Sequence, residues 1–391
     1  MHKTMETDGL RPGWKVWHFD QIATNVNARI DNPSESGLEH YVGLEHLDAD
    51  SLKIRRWGTP DDVEATKLMF KIGDIIFGRR RAYQLKLGVA EFDGICSAHA
   101  MVLRSKPEVV LPEFLPFFMQ SELFMNRAVE ISVGSLSPTI NWKTMAVQTF
   151  ALPPIDEQKQ LVELLGSIAA LEEELRIGEY EAERLQKAAM HDLLDPDLNG
   201  WQTKPIGEVF KVTTGGTPSR DNSAFWNGDV PWVKTGEVNY CVIDSTEERI
   251  TQEGLKGSAA KLCPRNSVLI ALYGQGPTRG RVGMLGIEAT VNQACAAIYP
   301  DVDFDPWFVY YYLSGKYLTL RAMAQGAAQP NLNLAMIKGF GISTPSLEVQ
   351  KAAVASIDAV AKAKAELNRR REQTAALKRK VREEIIGNVV H

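Results

Sequence analysis

Apolar positions follow two rhythms along this chain. Short dense runs such as "DIIFGRR" from Asp74 and "SVLIALYG" from Ser267 are rich in Ile, Val, Phe and Tyr, and their brevity suits strands better than helices. Each runs into a basic loop. From Asp156 to Leu194 no proline occurs and the rhythm changes to sevens. Leu161, Ile168, Leu175, Ala182 and Ala189 make one seam, and Leu164, Leu171 and Leu185 are expected to fill a second. The C-terminal stretch keeps this register 192 residues on, at Ala353, Val360, Leu367, Thr374 and Val381, with Leu377 matching Leu185. A stripe so narrow cannot bury itself. The pattern predicts two long helices packed on each other, with charged faces such as "EEELR", "NRRRE" and "KRKVREE" left to solvent or a partner.

The same 192-residue offset reaches beyond the helices. "GSLSPTIN", Gly134 to Asn141, and "GAAQPNLN", Gly326 to Asn333, keep Gly, Pro and Asn in register, as do Gln158-Lys159 and Gln350-Lys351. A Gly-Trp pair stands near the start of each half, at Gly13-Trp14 and Gly200-Trp201. Proline-bearing turns, "LPPIDEQKQLVELLGSI" and "STPSLEVQKAAVASIDAV", lead into the two helices. Such a repeat predicts one plan used twice: a disordered tail over 1–11, a β-rich domain over 12–151, a central helix over 152–195, a second β-rich domain over 196–343 and a C-terminal helix over 344–391. Within the Gly-Pro-Asn motif, Gly supplies unusual backbone angles, Pro fixes φ and Asn can cap a following turn. Asn141 and Asn333 therefore read as structural residues first.

Composition adds bounds. At 391 residues the chain is long enough for two or three cores. With 44% hydrophobic and 24% charged residues it reads as an ordinary globular protein, and no apolar run is long enough to span a membrane. The start, "MHKTMETDGLRPG", lacks the apolar core of a signal peptide, which makes the cytoplasm the expected compartment. The four cysteines, Cys96, Cys241, Cys263 and Cys295, are scattered and expected to be reduced and buried. A net charge of −5 decides little about nucleic acid, because binding depends on local patches.

Catalytic patterns are absent: no Walker loop, no nucleophile elbow and no paired histidine ligands. His99, between two alanines, reads as a core histidine. The acids of "PDDVEATK", Pro60 to Lys67, sit in one polar loop instead of converging from separate strands. "YGQGPTRG" begins like a dinucleotide loop but opens no helix. The stronger signal is basic and aromatic. "FGRRRAYQLKLG" gathers Arg79, Arg80, Arg81 and Lys86 around Tyr83 and Gln84, and "YGQGPTRGR" places Tyr273, Gln275, Arg279 and Arg281 at the equivalent position of the second half. Guanidinium groups neutralise phosphates or fork to guanine, and Gln pairs with adenine. A solvated hairpin tip is the plainer reading of either loop alone, and finding both at matching places weighs against it.

The chain resembles the specificity subunits of type I restriction-modification systems. The resemblance is carried by "TGGTPSRDNSAFWNGDVPWVKTGEV" from Thr214, by "GAAQPNLN" with its twin "GSLSPTIN", and by "LPPIDEQKQLVELL", and it covers nearly the whole chain. It implies an α+β fold with a pseudo-two-fold internal repeat, in which two β-rich target-recognition domains are separated by two long antiparallel coiled-coil helices. Each domain would read one half of an asymmetric bipartite DNA sequence while the helices set the spacing, and Lys234 joins the candidate DNA contacts. The subunit would have no catalysis and no cofactor of its own. It would bind two methyltransferase subunits, which use S-adenosylmethionine, and restriction subunits, which translocate with ATP and Mg. The rival reading is a non-catalytic protein-binding scaffold. The first half lacks the "GGTP" element, so its DNA contacts rest on the basic loop, and "TPSLEVQK" lacks the second proline and has Val349 where the first copy has Glu157.

Overall fold

A computed structural model describes residues 10–274, 276–324 and 331–387. The chain divides into two compact units, one of residues 1–176 with 369–391 and one of residues 177–368, so the division runs through both long helices. These span Ile155–Leu194 and Leu347–Arg382.

In the first unit four antiparallel strands stand in the order Ala23–Val26, Met101–Ser105, Ile75–Phe77, Leu87–Val89. A second sheet runs Arg29–Ile30, Lys67–Phe70, Gly94–Cys96, Tyr41–Val42, its last pair parallel. Residues of the "DIIF" run alternate between two cores. Ile75 and Phe77 pack with the helices Phe114–Met119 and Glu122–Glu130 and with Leu161, Leu165 and Ile386 of the helical segments, whereas Ile76 joins Val42, Leu68 and Val102 between the sheets. A strand buried on both faces is apolar throughout, which is why this run lacks polar alternation. Lys15–His18 pairs antiparallel with Thr149–Leu152 and closes the domain at the start of the central helix.

The second unit repeats the plan with a larger sheet: Val212–Thr214, Cys295–Ile298, Val268–Ala271, Val282–Leu285, Val242–Ile243. Its four-stranded partner runs Glu248–Ile250, Trp226–Val233, Ala289–Val291, Leu262–Cys263. Val268 and Ile270 face the helices while Leu269 and Ala271 face the other sheet. The glycines of "GGTP" are needed for close approach, since a Cβ on Gly215 would fall 1.8 Å from the Val291 carbonyl oxygen.

Along the long helices the first expected seam is turned inward, with Leu161 and Ala353 buried. The second is displaced by one residue. Leu164, Leu171, Leu185 and Leu377 are exposed, and the covered positions are Leu165, Glu172, Gln186 and Leu193 on one helix and Ile357, Lys364 and Lys378 on the other. Charge complements charge there. In the first unit Lys378 Nζ lies 2.6 Å from Glu172 Oε2 and also donates to the Asp50 carbonyl. In the second, Lys364 Nζ lies 3.4 Å from Glu183 Oε2, and Gly178 faces Leu367.

Other expectations need correction. The tail reading of 1–11 falls mainly outside the described residues, but Arg11 is held, donating to the carbonyls of Ile385 and Glu384 at 3.0 Å. Cys241 is exposed, while the other three thiols are buried. His99 is on the surface because the turn after Gly94–Cys96 lifts it out of the sheet. No helix among the described residues is long and apolar enough to cross a membrane.

Candidate nucleic-acid interface

The two basic loops occupy the same place in the two sheets. Residues 78–86 join Ile75–Phe77 to Leu87–Val89, and residues 272–281 join Val268–Ala271 to Val282–Leu285. The first is a short 3-10 turn, Ala82–Gln84, bounded by Arg81 and Leu85 with φ of 58° and 53°. Left-handed backbone at two non-glycine residues costs energy and persists only where the surroundings enforce it.

What enforces it is the "GSLSPTIN" turn. The Arg81 N–H donates to the Pro138 carbonyl at 2.7 Å and the Ile140 N–H to the Arg79 carbonyl at 3.0 Å. Arg80 and Arg81 both donate through Nη2 to the Ser137 hydroxyl, at 3.2 and 3.3 Å. Asn141 then caps the helix Trp142–Ala146 by accepting from Lys143 N, as Asn333 caps Leu334–Gly339 by accepting from Met336 N. The repeated motif thus clamps the basic loop and starts a helix, and the capping role read for both asparagines holds. In the second half the Leu332 N–H donates to the Leu272 carbonyl in the same way, while Gly326 to Pro330 lie outside the described residues.

Individual side chains differ in how far they are committed. Tyr83 is exposed, Arg81 is exposed, and Gln84 is half-buried. Arg79 donates to the Ala98 carbonyl at 3.0 Å, and Arg80 lies 3.3 Å from His99 Nε2. Loss of water around the ring, then the charges of Arg80, Arg79 and Lys67, push His99 below its ordinary pKa and favour the neutral imidazole. Lys86 is spent on structure, its Nζ donating to the Leu44 carbonyl at 2.7 Å. Lys234 is similarly engaged, 2.5 Å from Glu247 and 3.4 Å from Glu248, and the hydrogen bond to Glu247 leads the upward shift of its pKa.

In the second loop Tyr273 is exposed and Arg279 and Arg281 are half-buried, while Gln275 lies outside the described residues. Gly276 and Gly280 adopt φ of 59° and 85°, open to glycine at little cost. Two residues that sequence reasoning passed over hold this loop. Tyr317 donates to the Pro277 carbonyl at 2.7 Å, and Arg321 Nη1 donates to the carbonyls of Gly276 and Arg279 at 3.0 and 3.2 Å. Both stand one turn apart on the helix Tyr317–Met323, a spacing visible in sequence but silent about its target.

Asp62 accepts from the Thr59 N–H and hydroxyl, a local cap within the "PDDVEATK" loop. Among the described residues no group of three metal-ligating side chains occurs.

Each of the two units thus has a layered domain with a basic loop at the same topological position. The family model for the "Type I restriction modification DNA specificity domain" matches residues 62–177 and 199–377, and the chain belongs to that family. A type I restriction enzyme specificity subunit of Escherichia coli is 28% identical over 210 residues, 51% of this chain and 51% of that protein, so the chain spans about half the length of the curated relative it matches there. A putative type I specificity subunit of Methanocaldococcus jannaschii is 21% identical over 92% of this chain and 89% of its own. Among solved structures, the type I restriction-modification S subunit from M. genitalium aligns over 99% of both chains with a TM-score of 0.59 at 14% identity. A chain from a study of assembly and conformational transition of the type I R-M system aligns over 97% of this chain and 98% of its own, with a TM-score of 0.62 at 21% identity. At these identities the likeness is one of fold.

Proposed function

We propose that this protein is the DNA-reading subunit of a type I restriction-modification complex, with recognition domains over 12–151 and 196–343 that each read one half of an asymmetric bipartite target. The observation that carries this is the pair of basic loops at one topological position in two otherwise different domains, the first clamped through Ser137 and Pro138 by the motif that the sequence repeats. Arg79, Arg80, Arg81, Tyr83 and Gln84 in one loop, and Tyr273, Gln275, Arg279 and Arg281 in the other, are the DNA contacts. Arginine and glutamine supply the forked donors that base edges and phosphates accept. Lys86 and Lys234 contribute charge from positions already paired within the protein.

The two long helices pair antiparallel as a coiled-coil spacer. Support comes from each unit separately: Glu172 opposite Lys378 in the first, and in the second Gly178 opposite Leu367 with Glu183 opposite Lys364, partners that fall in number as their counterparts rise. Forty residues of helix reach about 60 Å, against about 34 Å for a turn of duplex, leaving unread base pairs between the half-sites. Methyltransferase subunits with S-adenosylmethionine, and restriction subunits with ATP and Mg, bring the chemistry, and the assembly works in the cytoplasm.

Methylome sequencing of cells carrying the intact chain, or one with four residues inserted after Leu175, tests this. The expected result is an asymmetric methylated sequence whose halves stay constant while the spacer grows by about one or two base pairs, from roughly 6 Å of added helix. Altered bases within a half at constant spacing would sink the spacer role. Absence of any chain-dependent methylation, with duplex affinity insensitive to salt, would favour a protein-binding scaffold.

A further inference from the structure

The first half lacks the "GGTP" element, and what stands there instead has its own chemistry. Counted from the first residue of the short helix that opens each sheet, Phe19 in one unit and Ile206 in the other, Asn25 and Asn27 occupy the positions of Val212 and Thr214, and Arg29 that of Gly216. In the second unit this place is filled by the protein itself. Val212 is buried, and a Cβ on Gly216 would lie 2.4 Å from the backbone of Ala259 and Ala260.

In the first unit the same place is open. A cavity of about 240 Å³ has a polar side of Asn25, Asn27, Arg29, Thr66, Arg79 and Asn141 and an apolar side that includes Leu68, Met101 and Trp142. Arg79 ties it to the basic loop, and the Arg79 Nε has no partner among the described residues. Arg29 Nε donates to Asn27 Oδ1 at 3.2 Å, which orients that amide and leaves its two N–H donors unspent. Asn141 uses only its oxygen, in the helix cap. Acidic groups sit at the margins: Asp31 accepts from Thr66, and Asp62 and Glu64 line the adjoining hollow with Lys67 and His99. The polar side of the cavity therefore offers amide and guanidinium donors without a carboxylate among them.

We propose that this cavity reads a purine edge in the first half-site, with the Asn27 amide, supported by Asn25, directed at adenine and Arg29 at the adjoining base or phosphate. The inference rests on the reading of the chain as a DNA-recognition subunit. Side-chain amides present a donor and an acceptor at the spacing of adenine N7 and N6, whereas Val212 and Thr214 in the second unit cannot. The two half-sites then differ in the means of readout as well as in sequence.

The test uses the assembled methyltransferase complex and the duplex whose sequence the intact chain's methylome defines. Asn27→Ala should lower affinity for that duplex by about 5- to 150-fold, the range one good base contact supplies, and relax one position of one half-site while the other half is read unchanged. Asn27→Asp keeps the size and exchanges donors for acceptors, so the preference at that position should move toward cytosine. Thr214→Ala serves as the second-unit control and should leave both halves as they were. Unchanged affinity and base preference in both Asn27 variants overturns the proposal, as does an even loss over all sequences, the mark of a phosphate contact. Failure of the intact complex to prefer any duplex would instead overturn the DNA-reading function itself, so the two failures are separable.

Discussion

Gln158 in the first unit accepts the Leu111 N–H at 2.8 Å and donates to the carbonyls of Val109 and Pro153, at 3.2 and 2.9 Å. In the second, Gln350 accepts the Asp305 N–H at 2.9 Å and donates to the carbonyls of Asp303 and Pro345, at 3.1 and 3.0 Å. Both glutamines are fully buried. Around these matching keystones the two junctions between domain and helix differ. The first is ionic: Lys378 and Arg382 reach Glu172 and Asp50, and Arg55 and Arg176 converge on Glu173. The second is aromatic, with Tyr311 donating to Asp358 at 2.6 Å, Tyr312 to the Gly341 carbonyl, and Trp307 packed on Tyr310 and Tyr311. A glutamine that bonds only to backbone is indifferent to which side chains the domain carries, so it survives divergence. Side-chain braces need a partner of matching type and drift with the domain.

The largest expected effect breaks the shared part. Gln158→Ala or Gln350→Ala leaves one N–H and two carbonyls buried without partners, and each should cost about 3 kcal/mol. Hydrogen exchange should show faster opening only in the unit that carries the substitution. Equal protection in both variants and the parent would show that the glutamines are not keystones.

Smaller effects sharpen the contrast. Lys378→Met strands the Glu172 carboxylate and should cost about 2 kcal/mol, whereas Tyr311→Phe should cost about 1 kcal/mol. Denaturant titrations at low salt and at 1 M salt should shrink the first loss more than the second, because a charge pair is screened by salt and a hydrogen bond from a neutral hydroxyl is screened far less.

The smallest effect is the pH dependence that Glu173 gives the first junction. A hydrogen bond from Arg176, with Arg55 beside it, holds Glu173 at about 2, against an ordinary value of 4.5. A carboxylate depressed in the folded state contributes stability above pH 4.5 that is lost as pH falls toward 2. Glu173→Gln should flatten the urea midpoint across that window, and an unaltered slope would remove Glu173 from the junction.

Much of this was legible from residues alone. Doubly buried strands announced themselves in "DIIF" and "VLIA", the caps in Asn141 and Asn333, and the keystones as Gln158 and Gln350 in register, although nothing in a glutamine says which carbonyls it will meet. The clamp of Ser137 on Arg80 and Arg81 joins residues 56 and 57 apart, and the grip of Arg321 on the second loop crosses 42 to 45 residues. Such contacts have no local signature. For Lys86 and Lys234, charge content alone does not reveal the partners within the protein, the Leu44 carbonyl for one and Glu247 and Glu248 for the other.

The seams of the long helices mark the boundary between the two kinds of information. The sequence by itself determined that Ile155–Leu194 and Leu347–Arg382 are helices with one face at Leu161, Ile168 and Leu175, since leucine and alanine at sevens admit little else. Which flank of that face is covered was decided only by tertiary structure. Positions three and four residues on lie within one broad stripe of a helix, and hydrophobicity favours Leu164, Leu171 and Leu185. Yet Leu165, Glu172 and Gln186 are the more covered set, and within it Lys378 supplies Glu172 with a charge partner. Partial burial of a carboxylate is eased by its counterion, and where that counterion lies is set by a helix 206 residues away.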